Sequence, residues 1–148
     1  MVIRPAGPGD AAALVALLAG GALVAGNEDP DHLDPYRAAL TEIAADPRST
    51  VLVATEDGSV VGLCQLIVFR HLQQRGGLCA EIESVHVAAA RRGAGIGGAL
   101  VEEAVRRAAD AGCYRVQLTT NKARVDAQRF YARHGFVASH EGFKRRLG

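Results

Sequence analysis

The feature that most constrains this chain is a strand that passes through a short loop into a glycine cluster, with a helix starting directly behind it. In the strand, Ile82, Val85 and Val87 alternate with polar residues, and apolar residues then recur at helical spacing from residue 99 to residue 108. The four glycines between them, at positions 93, 95, 97 and 98, leave backbone amides uncovered at the start of that helix. Such amides and the positive end of the helix dipole attract anions, and Arg91 and Arg92 add full charges. The stretch therefore predicts a site for a phosphate or pyrophosphate.

Three interpretations of this glycine cluster compete. The string Gly93-x-Gly95-x-x-Gly98 matches the dinucleotide-binding fingerprint, which wants its glycines tight against the strand and an acidic residue at the end of the next strand. Here residues 88–92 separate Val87 from Gly93, and the next predicted strand, 114–118, leads into two threonines and an asparagine. A nucleotide-triphosphate P-loop is excluded because no Gly-Lys-Ser/Thr follows. A turn that only lets helix and strand pack closely would not require four glycines and two arginines.

The third interpretation rests on a family resemblance. Arg92-x-x-Gly95-x-Gly97 resembles the Arg/Gln-x-x-Gly-x-Gly/Ala motif with which the GCN5-related N-acetyltransferases (GNAT) hold the pyrophosphate of acetyl-coenzyme A. Residues 127–136 resemble the Ala-x-x-x-Tyr-x-x-x-Gly-Phe segment of that family. Residues 3–10, with the alanine- and leucine-rich stretch behind them, resemble its first strand and helix. The resemblance spans nearly the whole chain in the right order, and its two central motifs are specific in combination.

The pattern of elements predicts a mixed α/β (α+β) fold in a single domain, residues 1–148. The predicted helices are 10–18, 35–45, a helix from the glycine cluster to Gly112, and 125–134. The predicted strands are 2–5, 50–56, 60–69, the strand around 82–87, 114–118, 136–139 and 143–147. The crossover 82–118 makes the two central strands parallel, within a largely antiparallel twisted sheet. The resemblance adds that this is the acyl-CoA N-acyltransferase fold, in which these two strands splay apart and coenzyme A lies in the wedge.

The resemblance implies acetyl-coenzyme A as co-substrate, and no metal. The implied coenzyme contacts are Val85, His86, Val87, Arg92, Gly93, Ala94, Gly95, Ile96, Gly97 and Gly98. Arg124 stands where many relatives have an asparagine that contacts the pantetheine arm. Either Asn121, one helical turn earlier, takes over that contact, or Arg124 meets a phosphate, or Arg124 is a plain surface residue.

Transfer of an acetyl group from a thioester to an amine needs a neutral amine, donors for the oxyanion and a proton for the leaving thiolate. Tyr131 falls where the resembling family places its general-acid tyrosine. Glu81 and Glu83 point to one face of their strand because side chains alternate, and the family often takes its base from this strand. Both are therefore candidates, with Glu83 preferred. His86 has the opposite parity and is predicted to face away from the site.

The composition of the chain limits which binding partners are expected. A formal charge of +1 argues against a nucleic-acid surface, and the apolar runs are too short to span a membrane. Three cysteines without Cys-x-x-Cys spacing suggest neither a disulfide framework nor a zinc site, and Cys64 and Cys79 are expected in the core. These features are typical of a reduced, cytoplasmic domain.

The resemblance implies an N-acetyltransferase that moves an acetyl group to a primary amine of a small molecule or peptide in a direct ternary complex. A non-catalytic acyl-coenzyme A sensor is the alternative. The loop 26–35 crowds four acids together, as a solvated surface loop or as a lid whose negative field favours an ammonium substrate. Similar proteins often dimerise through their late strands, which suggests a homodimer.

Overall fold

A five-stranded sheet with strands in sequential order forms the centre of the molecule, in a computed structural model that describes residues 1–148. The strands are β1 (Val2–Pro5), β2 (Ser49–Glu56), β3 (Ser59–Arg70), β4 (Leu78–Val87) and β5 (Cys113–Leu118). The first four pair antiparallel, and β5 pairs parallel to β4. The predicted mixed fold and its parallel crossover are confirmed.

Helices cover both faces of the sheet, and each face has its own core. On one face, α1 (Ala11–Gly21) and α2 (Asp34–Ala45) bury Leu14 and Leu40 against β2 and β3. On the other, α4 (Ile96–Asp110) carries buried residues at helical spacing: Ile96, Leu100, Val101, Ala104 and Ala108. The helix α5 (Val125–Arg133) packs beside α4, and α3 (Gln73–Gly76) is a single turn between β3 and β4. No helix has the length and apolar character needed to cross a bilayer.

A β-bulge interrupts β4 at Ser84, whose φ of 54° is left-handed. Opposite it, Leu63 pairs with His86 and Gln65 with Glu83, so three steps on β4 face two steps on β3. The additional residue reverses the alternation beyond the bulge. His86 and Glu83 therefore share a face, and the prediction that His86 faces away is wrong because it assumed an unbroken alternation.

The pairing of β4 with β5 ends halfway along β4. The last pair is Ile82 with Leu118, whereas β4 continues to Val87 alongside β3 alone. Residues 83–87 therefore present an unpaired backbone edge toward the space beyond β5. This opening is the wedge between the two parallel strands, and it lies directly in front of the glycine cluster.

The two predicted C-terminal strands, 136–139 and 143–147, are absent. Beyond Phe136 the backbone makes one hydrogen bond, from the Ser139 amide to the Val137 carbonyl (2.9 Å), and Phe143 and Leu147 are 93% and 91% exposed. The physical reason lies in the charged run at 144–146, which separates these two apolar residues and leaves no continuous face to bury. As a consequence β5 is an open edge of the sheet.

Candidate active site

The anion cradle predicted at the glycine cluster has the required backbone geometry. Gly93 and Gly95 have φ of 81° and 80°, a left-handed conformation that favours glycine. The first hydrogen bond of α4 runs from the Ala99 amide to the Gly95 carbonyl (3.0 Å), and the amides of residues 93–98 have no backbone acceptor. Gly95 is the N-cap and supplies no side-chain cap. These amides form an uncapped anion site at the start of a fifteen-residue helix.

The two arginines beside the cradle have different surroundings. The Arg91 guanidinium forms an ion pair with Glu56 at the end of β2. Arg92 is exposed, and its Nε makes only a long hydrogen bond (3.4 Å) to the Val87 carbonyl. Arg92 is therefore the cation beside the cradle that has no ion-pair partner, whereas Arg91 is paired with Glu56.

The last two glycines of the cluster also have a packing role. A Cβ on Gly98 would lie 2.9 Å from Cε1 of His134, and one on Gly97 would lie 3.5 Å from both Phe130 and Val87. The His134 ring in turn reaches Glu102 on α4 through Nδ1 (2.8 Å). Close contact between α4 and α5 thus accounts for Gly98, whereas Gly93 and Gly95 are required by their backbone angles.

Tyr131 lies on α5 with its ring half-buried between Phe130 and Phe136, at centroid distances of 5.1 and 5.9 Å. Its hydroxyl makes no hydrogen bond within the chain. Burial is the main cause that raises the pKa of Tyr131; the Glu83 charge raises it further, and the Arg124 charge opposes both. A tyrosine that stays protonated and has a free hydroxyl is suited to donate a proton.

Glu83 and Glu81 occupy unequal positions. Glu81 lies in the paired part of the sheet, where its Oε2 accepts a hydrogen bond from Nε2 of Gln117 (3.1 Å). Glu83 lies one step past the last β4–β5 pair, at the wedge. Burial raises the pKa of Glu83, and the neighbouring Glu81 charge raises it further. The geometry favours Glu83 as the base, with Glu81 as the neighbour that raises its proton affinity.

His86 was expected among the coenzyme contacts but on the face away from the candidate bases, and the bulge moves it to the face of Glu83. Its half-buried ring lies against Gly21 at the end of α1, and an added Cβ there would collide with Nδ1. Burial lowers the pKa of His86, the charges of Arg124 and Arg92 lower it further, and Glu28 opposes them. His86 is therefore held as neutral imidazole beside the wedge. The sequence contains little indication of this position, because the bulge depends on the left-handed backbone of Ser84 and serine does not mark such a conformation.

Arg124 and Asn121 are both engaged in local structure. Arg124 is the N-cap residue of α5, and its Nη2 donates to the Gly21 carbonyl across the gap between α5 and α1. Asn121 lies in the turn before α5, outside the helix as predicted. Its Oδ1 accepts from the Ala123 amide (2.9 Å), as short polar side chains often do in turns. Arg124 is thus drawn toward α1 rather than left as a free surface residue.

Hydrogen bonds to Tyr36 connect the acidic loop 26–35 to α2. The Tyr36 hydroxyl donates to Oε2 of Glu28 (2.9 Å) and accepts from the Asp29 amide (2.8 Å). These bonds place the Glu28 carboxylate close enough to His86 to affect its pKa. The loop therefore contributes a negative charge to the rim of the site.

An apolar cavity of about 130 Å³ lies between α1, α2 and the sheet, and it opens beside the bulge. Ten of its twelve lining residues are hydrophobic, and the two at the sheet with polar side chains are Gln65 and Ser84. Ser84 follows Glu83 directly, so the cavity reaches the same part of β4 as the candidate base. A small apolar group fits this space.

The cysteines are confirmed as core residues where the sequence placed them. Cys64 and Cys79 are fully buried. Burial raises the pKa of Cys64 to about 12, so its thiol stays protonated although it lies near Tyr131. A thiol in that state does not serve as an acyl-carrying nucleophile.

A comparison with known protein families identifies the family to which this chain belongs. Residues 21–136 match the Acetyltransferase (GNAT) family. The chain belongs to this family. The match includes β4, the glycine cluster and the segment that contains Tyr131.

Individual relatives agree with this assignment. The aminoalkylphosphonate N-acetyltransferase of Salmonella typhimurium is 36% identical over 112 residues, which are 76% of this chain and 72% of that protein. Glucosamine 6-phosphate N-acetyltransferase 1 of Oryza sativa is 32% identical over 107 residues, 70% of this chain and 63% of that protein. Among solved structures, a protein described as a transcriptional regulator from Bacillus halodurans C-125 superposes with a TM-score of 0.94 at 39% identity, covering 99% of both chains.

Proposed function

We propose that this protein transfers the acetyl group of acetyl-coenzyme A to the primary amine of a small molecule in a direct ternary complex. The observation that carries the proposal is that the uncapped amides of residues 93–98, Glu83 and the free Tyr131 hydroxyl surround one wedge between β4 and β5. Arg92 and the left-handed glycines fit a pyrophosphate, and the unpaired edge 83–87 fits an extended pantetheine arm. Family membership supports the same co-substrate.

In this mechanism Glu83 takes a proton from the substrate ammonium, so that the neutral nitrogen can attack the thioester carbonyl. Backbone amides near Val85 and Val87 stabilise the oxyanion that develops there. The C–S bond then breaks, a C–N bond has formed, and Tyr131 donates its proton to the leaving thiolate. The acylated nitrogen then loses its second proton to the Tyr131 oxygen, and solvent removes the proton from Glu83, so that one proton is released per turnover and the cycle closes.

The acceptor that this site fits best carries charges of both signs. Glu28 and Glu83 provide carboxylates for an ammonium, whereas Arg124 and Lys144 provide positive charge close enough to affect the pKa of His86 and Glu83, respectively. Two relatives are named for amines that also bear a phosphonate or a phosphate. We infer that the acceptor is a small primary amine with an anionic phosphorus group.

The first experiment is calorimetric titration with acetyl-coenzyme A and, separately, with NAD. Binding of the coenzyme at micromolar affinity without binding of NAD supports the cradle assignment, whereas binding of NAD alone would revive the dinucleotide interpretation. Release of free thiol is then measured with an aminoalkylphosphonate, glucosamine 6-phosphate and a lysine peptide. Each phosphorus compound is paired with the same amine lacking its phosphorus group, and we expect kcat/KM to be higher for the charged member of each pair.

A sensor that binds acyl-coenzyme A without turnover is the second candidate, and its one specific support is the similar Bacillus halodurans protein, which is described as a transcriptional regulator. The two candidates differ in one measurement. Coenzyme binding with no thiol release for any amine in the panel would favour the sensor, and multiple turnovers with one amine would exclude it.

A further inference from the structure

The C-terminal tail, residues 137–148, leads toward the wedge instead of away from it. Lys122 and Glu141 form an ion pair of 2.7 Å, and a Cβ on Gly142 would lie 3.6 Å from the Thr119 methyl group. Thr119 follows Leu118, whose partner in β4 is Ile82, the neighbour of Glu83. The tail therefore reaches the end of β5 that opens into the wedge, two residues before Lys144.

Lysine is rare in this chain, and its two lysines have different surroundings. The ammonium of Lys122 is paired with Glu141. Lys144 is exposed and forms neither an ion pair nor a hydrogen bond. Met1 lies next to β1, at the opposite edge of the sheet from β5. Lys144 is thus the one side-chain amine that is free and close to the site.

The Lys144 ammonium is near enough to Glu83, the candidate base, for its charge to act on the carboxylate. Its charge lowers the pKa of Glu83, against the larger effects of burial and of Glu81. Glu83 in turn lies within range of the Tyr131 hydroxyl, whose pKa it raises. Base, acid and a free primary amine therefore lie in one region of the molecule.

We propose that Lys144 is an acetyl acceptor of the active site in its own chain. The proposal rests on the proposed acetyltransferase function. In the reaction the Lys144 ammonium gives a proton to Glu83, its Nζ attacks the thioester carbonyl to form the C–N bond, the C–S bond breaks and the thiolate takes a proton from Tyr131. The second proton of Nζ then passes to the Tyr131 oxygen, and solvent removes the proton from Glu83. The products are free coenzyme A and a neutral amide on the tail. Since the amide has no charge, the modification removes one positive charge from the side of Glu83, and each chain accepts one acetyl group.

The test incubates the purified full-length protein with acetyl-coenzyme A alone, without an added amine. Mass spectrometry of the intact chain counts the acetyl groups, and peptide mapping locates them. We expect one acetyl group on Lys144, at a rate per chain that does not change with protein concentration. Lys144→Arg, which keeps the charge, should abolish it. Lys122→Arg, the matched control, should leave it unchanged, and Tyr131→Phe should slow it by about 100-fold.

Each other result overturns the proposal. Equal labelling of Lys122 and Lys144 would mean uncatalysed acetylation of exposed amines. A rate that rises in proportion to protein concentration would mean transfer between chains. No label on Lys144, together with thiol release when an external amine is present, would reject this inference and leave the acetyltransferase function standing. Absence of both would reject the proposed function as well.

Discussion

The pKa values of Tyr131 and Glu83 are raised for the same main reason, burial, but the chemical consequences differ. A higher pKa keeps the tyrosine protonated, which preserves the proton that the leaving thiolate needs. The same direction of shift makes the Glu83 carboxylate a stronger base toward an ammonium. In the proposed mechanism, the same half-buried surroundings would therefore suit Tyr131 to act as the acid and Glu83 to act as the base.

Replacement of Tyr131 by Phe tests the acid directly. We expect kcat to fall by about 100-fold, because a general acid contributes about 10²- to 10⁴-fold, while the affinity for acetyl-coenzyme A stays within about twofold. Steady-state kinetics and titration separate the two effects. Tyr114→Phe is the matched control. Tyr114 lies at the end of β5 far from the wedge, where its hydroxyl is hydrogen-bonded to His71, and this variant should retain full activity. Unchanged kcat in Tyr131→Phe would remove the assignment.

The pH dependence of the glutamine variants identifies the base. The wild type should lose activity as pH falls through the raised pKa of Glu83, and this acidic limb should vanish in Glu83→Gln and persist in Glu81→Gln. If neither variant loses the limb, His86 becomes the candidate base, and His86→Gln is then tested in the same way.

Stability gives Glu83 a second, independent readout. Because its folded pKa lies above the ordinary value of 4.5, protonation favours the folded state, and this stabilisation is lost as pH rises through that window. Glutamine mimics the protonated acid. Glu83→Gln should therefore be more stable than the wild type near neutral pH, by less than about 1 kcal/mol because the side chain is partly exposed. Thermal melts at acidic and neutral pH should show the difference only at neutral pH.

At the scale of elements, the approach of α4 to the sheet depends on a missing side chain in β3. A Cβ on Gly62 would lie 3.0 Å from Leu100 and 3.1 Å from both Ile96 and the His86 carbonyl. Gly62 thereby sets how closely the first turn of α4, and with it the anion cradle, lies above β4. No pattern in the sequence distinguishes this glycine from the others.

Gly62→Ala should therefore lower the free energy of unfolding by about 1–3 kcal/mol, as expected for overpacking of a filled core. Gly20→Ala is the matched control. Gly20 lies in α1 with nothing within 4 Å of an added Cβ, so alanine there should stabilise the protein by about 0.5–1 kcal/mol. Denaturant titration measures both, and a neutral Gly62→Ala would show that α4 moves outward without penalty.

Much of this architecture follows from the sequence. The strand around 82–87, the glycine cluster and the helix after it have strong periodicity, and their predicted order is confirmed. Two features did not follow. The bulge depends on one left-handed residue, Ser84, that no turn signal marks, and it changed the side on which His86 lies. The tail has apolar residues at 143 and 147, but the charged run between them provides neither a partner strand nor a face to bury.

At the scale of the molecule, the open edge of β5 and the exposed Phe143 and Leu147 predict a homodimer, because unpaired sheet edges and exposed apolar side chains favour association. Sedimentation velocity should give about twice the 15.5 kDa mass of one chain. Phe143→Asp with Leu147→Asp should shift it toward the monomer, whereas Leu72→Asp, at an equally exposed site in α3's N-cap, should not. A wild-type monomer at all concentrations would contradict the prediction.

The bulge at Ser84 also affects how the protein is redesigned. A library that treats residues 82–87 as a regular strand would assign every position beyond Ser84 to the wrong side of the sheet. It would place acceptor-facing diversity in the α4 core, and core hydrophobics in the site. Deletion of Ser84 would restore the regular alternation and turn the side chains of the later strand residues, including His86, to the opposite face of the sheet. A deletion of one residue would therefore exchange the core-facing and site-facing positions of this segment at once.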